Sequence, residues 1–600
     1  MASITSANGT RQGCKIGSHL FALGVRAFYE QALQQCPDVT GVAICDDLTL
    51  VGPAASVFRV YDWILANSQP LTGLSVQVAK TKVLYAPPAS TPLPADIFVA
   101  AATRNLVVVR GATKLLGSVI GLDDNARRTF VDNKINAMAP TIQRLLTPGM
   151  PFQAATLLLR SSINVTPMYL FRTLPPDITR AAARRFHTMV FDAMCRILDL
   201  PAPDDLPAPV RLSMELATQH GGLGISDPEP TLEAGYLSAV AASIQDNFCA
   251  GPRRHLLLPD PQGRTIATAT HVQHCLQQLA AQGVDPQHAC LPATVSNMVQ
   301  RFANEPPKKM QHLLLKSVQK FNLKIVLDMC RDDDRWAARL RSASGPGAHH
   351  WLTTLPTDKA TTMQDDNFRI ASKYLLGIDP WPRPPPCCYC NRPMVDDPWH
   401  PIHCRFQNSH GKSLQHNQIR DLLEEYCKLA GLGATITEAT QYQASSHARP
   451  DLVVPFPARV LTVDVSGTDP TAPSYVAAAA RTSLHAAHRR ETEKNGHYAE
   501  LVRLYQLPFL PFVFETHGAL GPRAMHFIDE LSQHAQSRPG AATSGDFRFQ
   551  LLSRISIIVQ TANAQLMRDA YVASRSAAQR AWIPVGSAVM VGGQGRAVRR

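Results

Sequence analysis

Apolar residues recur at three- and four-residue steps through the middle of the chain, the spacing of helices with one buried face. The segments 133–146, 154–171, 178–198 and 306–329 all carry it, and so does 18–33 near the start. Elsewhere the pattern shortens to β-prone runs. Two meet at an acidic turn in GVAICDDLTLVG (41–52), and the stretches 70–87 and 112–122 read as further short strands. A second β-rich set follows in RPDLVVPF, ARVLTVDVSG and LPFLPFVFETHG, with one long helix, 473–505, ahead of the last.

Proline- and glycine-rich stretches punctuate this pattern. SASGPGAHH (342–350) reads as a linker and PWPRPPPCCYC (380–390) as a stiff approach to a cysteine cluster. The expected organisation is multidomain, α/β and α. A mixed α/β segment spans 1–125, a helical block 126–345 and a linker 346–385. A cysteine-histidine segment at 386–412, an α/β domain at 413–560 and a tail at 561–600 complete it.

Composition supports a chain with sizeable cores: 600 residues, 45% of them hydrophobic and 18% charged, require more than one. Lys and Arg exceed Asp and Glu by 59 to 47, a net +12 that suits a phosphate-bearing partner. No apolar run reaches the length of a membrane span, and the N-terminus lacks the order of a secretory signal. Thirteen cysteines, four of them crowded between 387 and 404, fit a reducing compartment and one metal site better than a disulfide framework.

Three groups of residues carry candidate chemistry. In the hairpin 41–52, Asp46 and Asp47 stand at the turn, where adjacent carboxylates repel unless solvated or shared with a divalent cation. Cys387-x2-Cys390-x9-His400-x3-Cys404 offers three thiolates and an imidazole, a set suited to tetrahedral Zn2+ in a closed, structural site. Cys388 and His403 are neighbours able to substitute. Farther on, Asp451 opens one strand, and Asp464 lies opposite the apolar face formed by Leu461, Val463 and Val465 on the next. Lys494 and Tyr498 follow one turn apart on a helix. Two carboxylates and a lysine are the groups that metal-dependent phosphodiester cleavage needs; the plain alternatives are a strand-surface acid and a helix-surface ion pair with Glu491 or Glu493.

The order of these motifs resembles proteins of non-LTR retrotransposons. RQGCKIGSHLFAL, the hairpin with Asp46-Asp47, GLSVQVAKTK and KLLGSVIG look like successive reverse-transcriptase motifs, and GGLGI (221–225) like that family's thumb turn. The cysteine-histidine segment is similar to its CCHC knuckle, and Arg449-Pro450-Asp451, Asp464 and Lys494 to a PD-(D/E)xK-like, restriction-like endonuclease. The resemblance implies a partial reverse-transcriptase palm at 1–125, a helical thumb and connector, a zinc knuckle and a nuclease domain.

It further implies Mg2+ or Mn2+ on Asp46, with Asp47 assisting, and on Asp451 with Asp464, and Zn2+ on Cys387, Cys390, His400 and Cys404. Gln12 and Gly13 are expected against a template-primer, Lys80 near an incoming nucleotide, and Tyr498 beside the nuclease site. Glu424 or Glu425 is a candidate extra acid. DNA and RNA are the expected partners, with no membrane, and a nuclear location follows from the family role. The first acidic motif of a polymerase is missing ahead of Arg11, so RNA-templated synthesis is expected only of a complete protein. The alternatives are a nucleic-acid-binding relic without turnover, and a free-standing DNA endonuclease that keeps the polymerase remnant as scaffold.

Overall fold

The computed structural model describes residues 16–88, 90–245, 257–259, 262–284, 291–381, 383–395, 397–404, 410–433, 435–438, 440–442, 449–537 and 544–581. It is mixed α/β and mostly helical. The chain divides into two compact units, Met1–Val131 and Asp132–Arg600.

In the first unit α1 (Gly17–Gln34) precedes an antiparallel hairpin, β1 (Thr40–Ile44) and β2 (Asp47–Val51). Helix α2 (Ala54–Thr72) packs Val60 and Ile64 against Phe28, Ala32 and Val39. Helix α3 (Ala95–Ala102) separates β3 (Lys82–Tyr85) from its parallel partner β4 (Val107–Arg110), a strand the hydrophobic pattern does not announce. Strands β5 (Ala112–Leu115) and β6 (Ser118–Gly121) form a second hairpin. The described residues here make three two-stranded sheets, not one continuous sheet.

The second unit begins helical. Helices α4 (Pro176–Leu198) and α7 (Met310–Met329) follow the expected apolar steps, whereas 133–146 and 154–171 break into shorter pieces; α5 (Pro228–Ser243) and α6 (Ala267–Ala281), not singled out by the pattern, share a core with α7 around Leu237, Val272, Leu276 and Leu314. The GGLGI turn is a tight crossing: a Cβ on Gly222 would stand 2.1 Å from the Leu216 carbonyl oxygen, which only glycine avoids.

Two segments differ from expectation. The stretch 346–385 is no linker. Helix α8 (Asp334–Ala343) runs into SASGPGA, whose small residues permit close packing: a Cβ on Gly345 would meet Ala519 at 2.5 Å. Trp351 and helix α9 (Asp365–Leu376), through Phe368 and Leu376, are core. The proline and glycine content suggested a spacer, but tertiary burial overrides it. Likewise the expected tail at 561–600 is, as far as Ala581, the second half of a long helix, and its remainder lies outside the described residues.

The site-bearing part is a four-stranded sheet ordered β10-β9-β8-β7. Following the single turn α10 (His400–His403) and helix α11 (His410–Leu429) come β7 (Ile436–Thr437), β8 (Leu452–Phe456) and β9 (Arg459–Thr468), antiparallel in sequence. The crossover α12 (His485–His497) and α13 (Ala499–Tyr505) then returns the chain to β10 (Phe509–Glu515), parallel to β9. The expected single helix over 473–505 is broken, because Leu484 adopts a left-handed φ of 60° and Tyr498 joins α12 to α13. One sheet face, with Val454, Val463, Val465, Phe512 and Phe514, buries against α11, α14 (Pro522–Gln536) and α15 (Ser544–Ala581). No helix among the described residues is long and apolar enough to cross a membrane.

Candidate metal and nuclease sites

Alternation along β9 decides what faces outward from the core. Leu461, Val463 and Val465 enter it, so Thr462, Asp464 and Ser466 take the opposite face. That face is roofed rather than open: Asp464 is only 4% exposed. The antiparallel register pairs Leu452 with Val463, which sets Asp451 opposite Asp464.

Each carboxylate has its own cationic or N–H company. Lys494, near the end of α12, puts Nζ 2.7 Å from Asp464 Oδ2, and the Tyr498 hydroxyl donates to Oδ1 at 2.6 Å. The same hydroxyl lies 2.7 Å from the Arg449 carbonyl oxygen and ties the Arg-Pro-Asp segment to the crossover helix. Asp451 Oδ2 accepts from the Val465 N–H at 2.7 Å and lies 2.9 Å from His416 Nε2.

Burial pushes the Asp464 carboxyl up, Lys494 draws it down and Asp451 raises it again; the net shift is upward. Its bond to Asp451 raises the His416 imidazole against the opposing effect of burial. Burial and then Asp464 push the Tyr498 hydroxyl far up, so it stays a donor.

The sequence reading missed His416. Of the α11 side chains it had favoured, Glu425 is held in a two-bond pair by Arg554 and Glu424 by Lys428. Neither is the group that meets Asp451; His416, eight and nine residues earlier, is. Arg490 was also missed. One turn before Lys494, it donates Nε to Ser466 Oγ at 2.9 Å. Helical spacing of 490 and 494 was the available signal.

The cysteine-histidine segment brings its four expected ligands together: one donor atom from each of Cys387, Cys390, His400 and Cys404 lies within 4.8 Å of the rest. Asn391 makes the turn by adopting a left-handed φ of 57°, which asparagine tolerates, and the Cys387 N–H bonds to the Arg392 carbonyl. Cys387 Sγ and Cys404 Sγ are 3.9 Å apart, close to the edge of about 3.8 Å that Zn–S bonds of ~2.3 Å give a tetrahedron. Cys390 Sγ lies 3.0 Å from His400 Nε2. The donor set fits a metal such as zinc. Burial pushes the Cys387 thiol up to about 12, so a cation there displaces a proton that burial otherwise retains.

The alternatives sort themselves by geometry. Cys388 is exposed, and its N–H bonds to Ser574 on α15. His403 is occupied elsewhere, with Asp397 Oδ2 2.9 Å from Nε2 and Asp469 Oδ2 3.1 Å from Nδ1. Burial opposes its charge, but those two partners hold its pKa up at about 9.

In the first unit, Ile44 pairs with Asp47, so Cys45 and Asp46 form the hairpin tip, with Cys45 at a left-handed φ of 53°. Asp46 and Asp47 are both exposed, and among the described residues no third His, Cys, Asp or Glu joins them within ligand-sharing distance. Lys80 is exposed on a separate short turn, Val78–Lys80. Gln12 and Gly13 lie outside the described residues.

No family model matches this chain, and no curated protein matches it.

Proposed function

We propose that the C-terminal part of this chain is a divalent-metal-dependent DNA-nicking nuclease in a protein of the non-LTR retrotransposon reverse-transcriptase kind. The observation that carries this reading is the convergence of Asp451, Asp464, Lys494 and Tyr498 from two strands and a crossover helix. A bound Mg2+ or Mn2+ supplies a Lewis acid and an activated water. Asp464 and Asp451 offer the oxygens to hold it. The bonds from Val465 and His416 occupy Asp451 Oδ2, which leaves Oδ1 as the oxygen that would hold a cation. Tyr498 fixes the Asp464 carboxylate, and Lys494 exchanges its ion pair for a phosphate oxygen or the attacking water. Arg490 adds positive charge on the same helix.

In this reading the zinc-type knuckle is structural, since its four ligands close the coordination sphere. On the same reading the exposed pair Asp46 and Asp47 contributes to a polymerase metal site.

Asp451→Asn and Asp464→Asn should each lower nicking of supercoiled DNA by about a hundredfold or more while leaving zinc content unchanged. Undiminished nicking in both variants would refute the assignment.

A second reading has its own support. Lys494 and His416 already compensate the two carboxylates, as a metal would. On that view the chain is a nucleic-acid-binding relic whose basic surface grips DNA or RNA without cutting. Salt-sensitive binding with no metal-dependent cleavage selects it.

A further inference from the structure

His403 and His400 share the single turn α10, and their rings stand nearly perpendicular at 87°. His400 presents Nε2 to the thiolates; His403 presents both of its nitrogens to carboxylates. With a carboxylate oxygen 3.1 Å from Nδ1 and another 2.9 Å from Nε2, this ring bridges two acidic side chains. The triad is closed to solvent, with side-chain exposures of 10% for His403 and 7% for Asp397 and for Asp469.

The two anions belong to different parts of the fold. Asp397 lies in the knuckle, where Arg335 of α8 also approaches it at 3.4 Å. Asp469 immediately follows β9, five residues beyond Asp464. Its second oxygen accepts from the Thr471 N–H, the Thr471 hydroxyl and the Thr516 hydroxyl at 2.9, 2.8 and 3.1 Å. Thr516 follows β10, and its N–H donates to the Thr468 carbonyl at 2.9 Å. The clamp therefore sits where the parallel strands β9 and β10 end. Withdrawing His403 would strand a buried carboxylate at that point, which is among the costlier defects a fold can carry.

We propose that His403 is a positioning residue that couples metal loading of the knuckle to the order of the nuclease strand, by clamping Asp469 beyond Asp464. Metal binding at His400 and Cys404 fixes the turn that carries His403. His403 fixes Asp469, and Asp469 holds the joined ends of β9 and β10. The effect on strand order follows from the geometry of the clamp; the effect on cutting rests on the nuclease reading above.

The test compares the full chain as wild type, His403→Ala and His403→Gln, each loaded with Zn2+, and wild type stripped with a chelator. Zinc content and the absorption of Co2+-substituted protein report the knuckle. Hydrogen exchange over 462–470 and 509–516 reports the strand ends, with 452–456 as reference. Apparent Mg2+ affinity in nicking is read against kcat.

Chelated wild type and zinc-loaded His403→Ala should both exchange faster at the strand ends, by about tenfold or more, while the reference strand is little changed. His403→Ala should keep its Co2+ spectrum, and its apparent Mg2+ affinity should fall more than its kcat. His403→Gln retains a donor for Asp469 and should recover part of the protection. Unchanged exchange at the strand ends in chelated wild type or in zinc-loaded His403→Ala overturns the coupling, as does equal loss in the Gln and Ala variants. Should His403→Ala fail to fold, chelated wild type against His403→Gln decides. If the chain never nicks DNA, the nuclease reading falls, while the exchange data still judge the clamp.

Discussion

Asp464 shows how one side chain can be chosen by alternation and then altered by its roof. Its position opposite the apolar face of β9 follows from the period of two, but its burial comes from α12 and α13. Burial raises its pKa and the Asp451 bond raises that of His416, so both groups keep a proton to higher pH than they would free in water. On the nuclease reading a divalent cation competes with protons at both groups, so metal affinity should rise as pH rises. Mn2+ titration followed by electron paramagnetic resonance checks this, and a flat profile would contradict the assignment. The same His416–Asp451 bond stabilises the fold most below the unfolded histidine pKa. That contribution is lost as pH climbs through the raised folded value.

At the scale of elements, the crossover is broken at the joint that holds Tyr498. A continuous helix over 473–505 would carry Lys494 and Tyr498 on one face, as the spacing requires. The break after His497 leaves Tyr498 at the joint with 3% exposure, its hydroxyl on both Asp464 and the Arg449 carbonyl. Helix α15 makes the complementary point. Beyond 560 it buries Met567 and Ala570, stacks Tyr571 on Trp381 at 4.1 Å, and accepts a hydrogen bond at Ser574 from the Cys388 N–H. Met567→Ala, at a site 1% exposed, should cost about 2–5 kcal/mol in chemical unfolding. A loss under ~0.5 kcal/mol would mean that this half of the helix does not belong to the core.

Over the whole molecule, the knuckle is built into the second unit instead of hanging from it. Its residues meet α8 through Arg335–Asp397, β9 through His403–Asp469 and α15 through Cys388–Ser574. Metal analysis should return one Zn2+ per chain, and Cys387→Ser or Cys404→Ser should abolish it. Because a short proline-rich segment buries little on its own, zinc removal should also lower the unfolding midpoint of this unit. An unchanged midpoint in chelator would show that the surrounding contacts suffice without metal.

The sequence by itself determined the middle-block helices α4 and α7, the β-rich set with its inserted crossover, the four clustered candidate metal ligands, and the face that carries Asp464. These follow from periodicity and from ligand spacing, which act over a few residues and are written in neighbouring positions. Tertiary structure alone decided that His416 and not Glu424 or Glu425 meets Asp451. It also decided that Trp351 and α9 within 346–385 are core, that α15 runs on to Ala581, and that His403 lies between Asp397 and Asp469. Each of those outcomes depends on partners 30 to more than 180 residues away, or on which ring nitrogen faces which carboxylate. Local pattern carries no record of such pairings, since burial and charge compensation are settled only when distant segments pack.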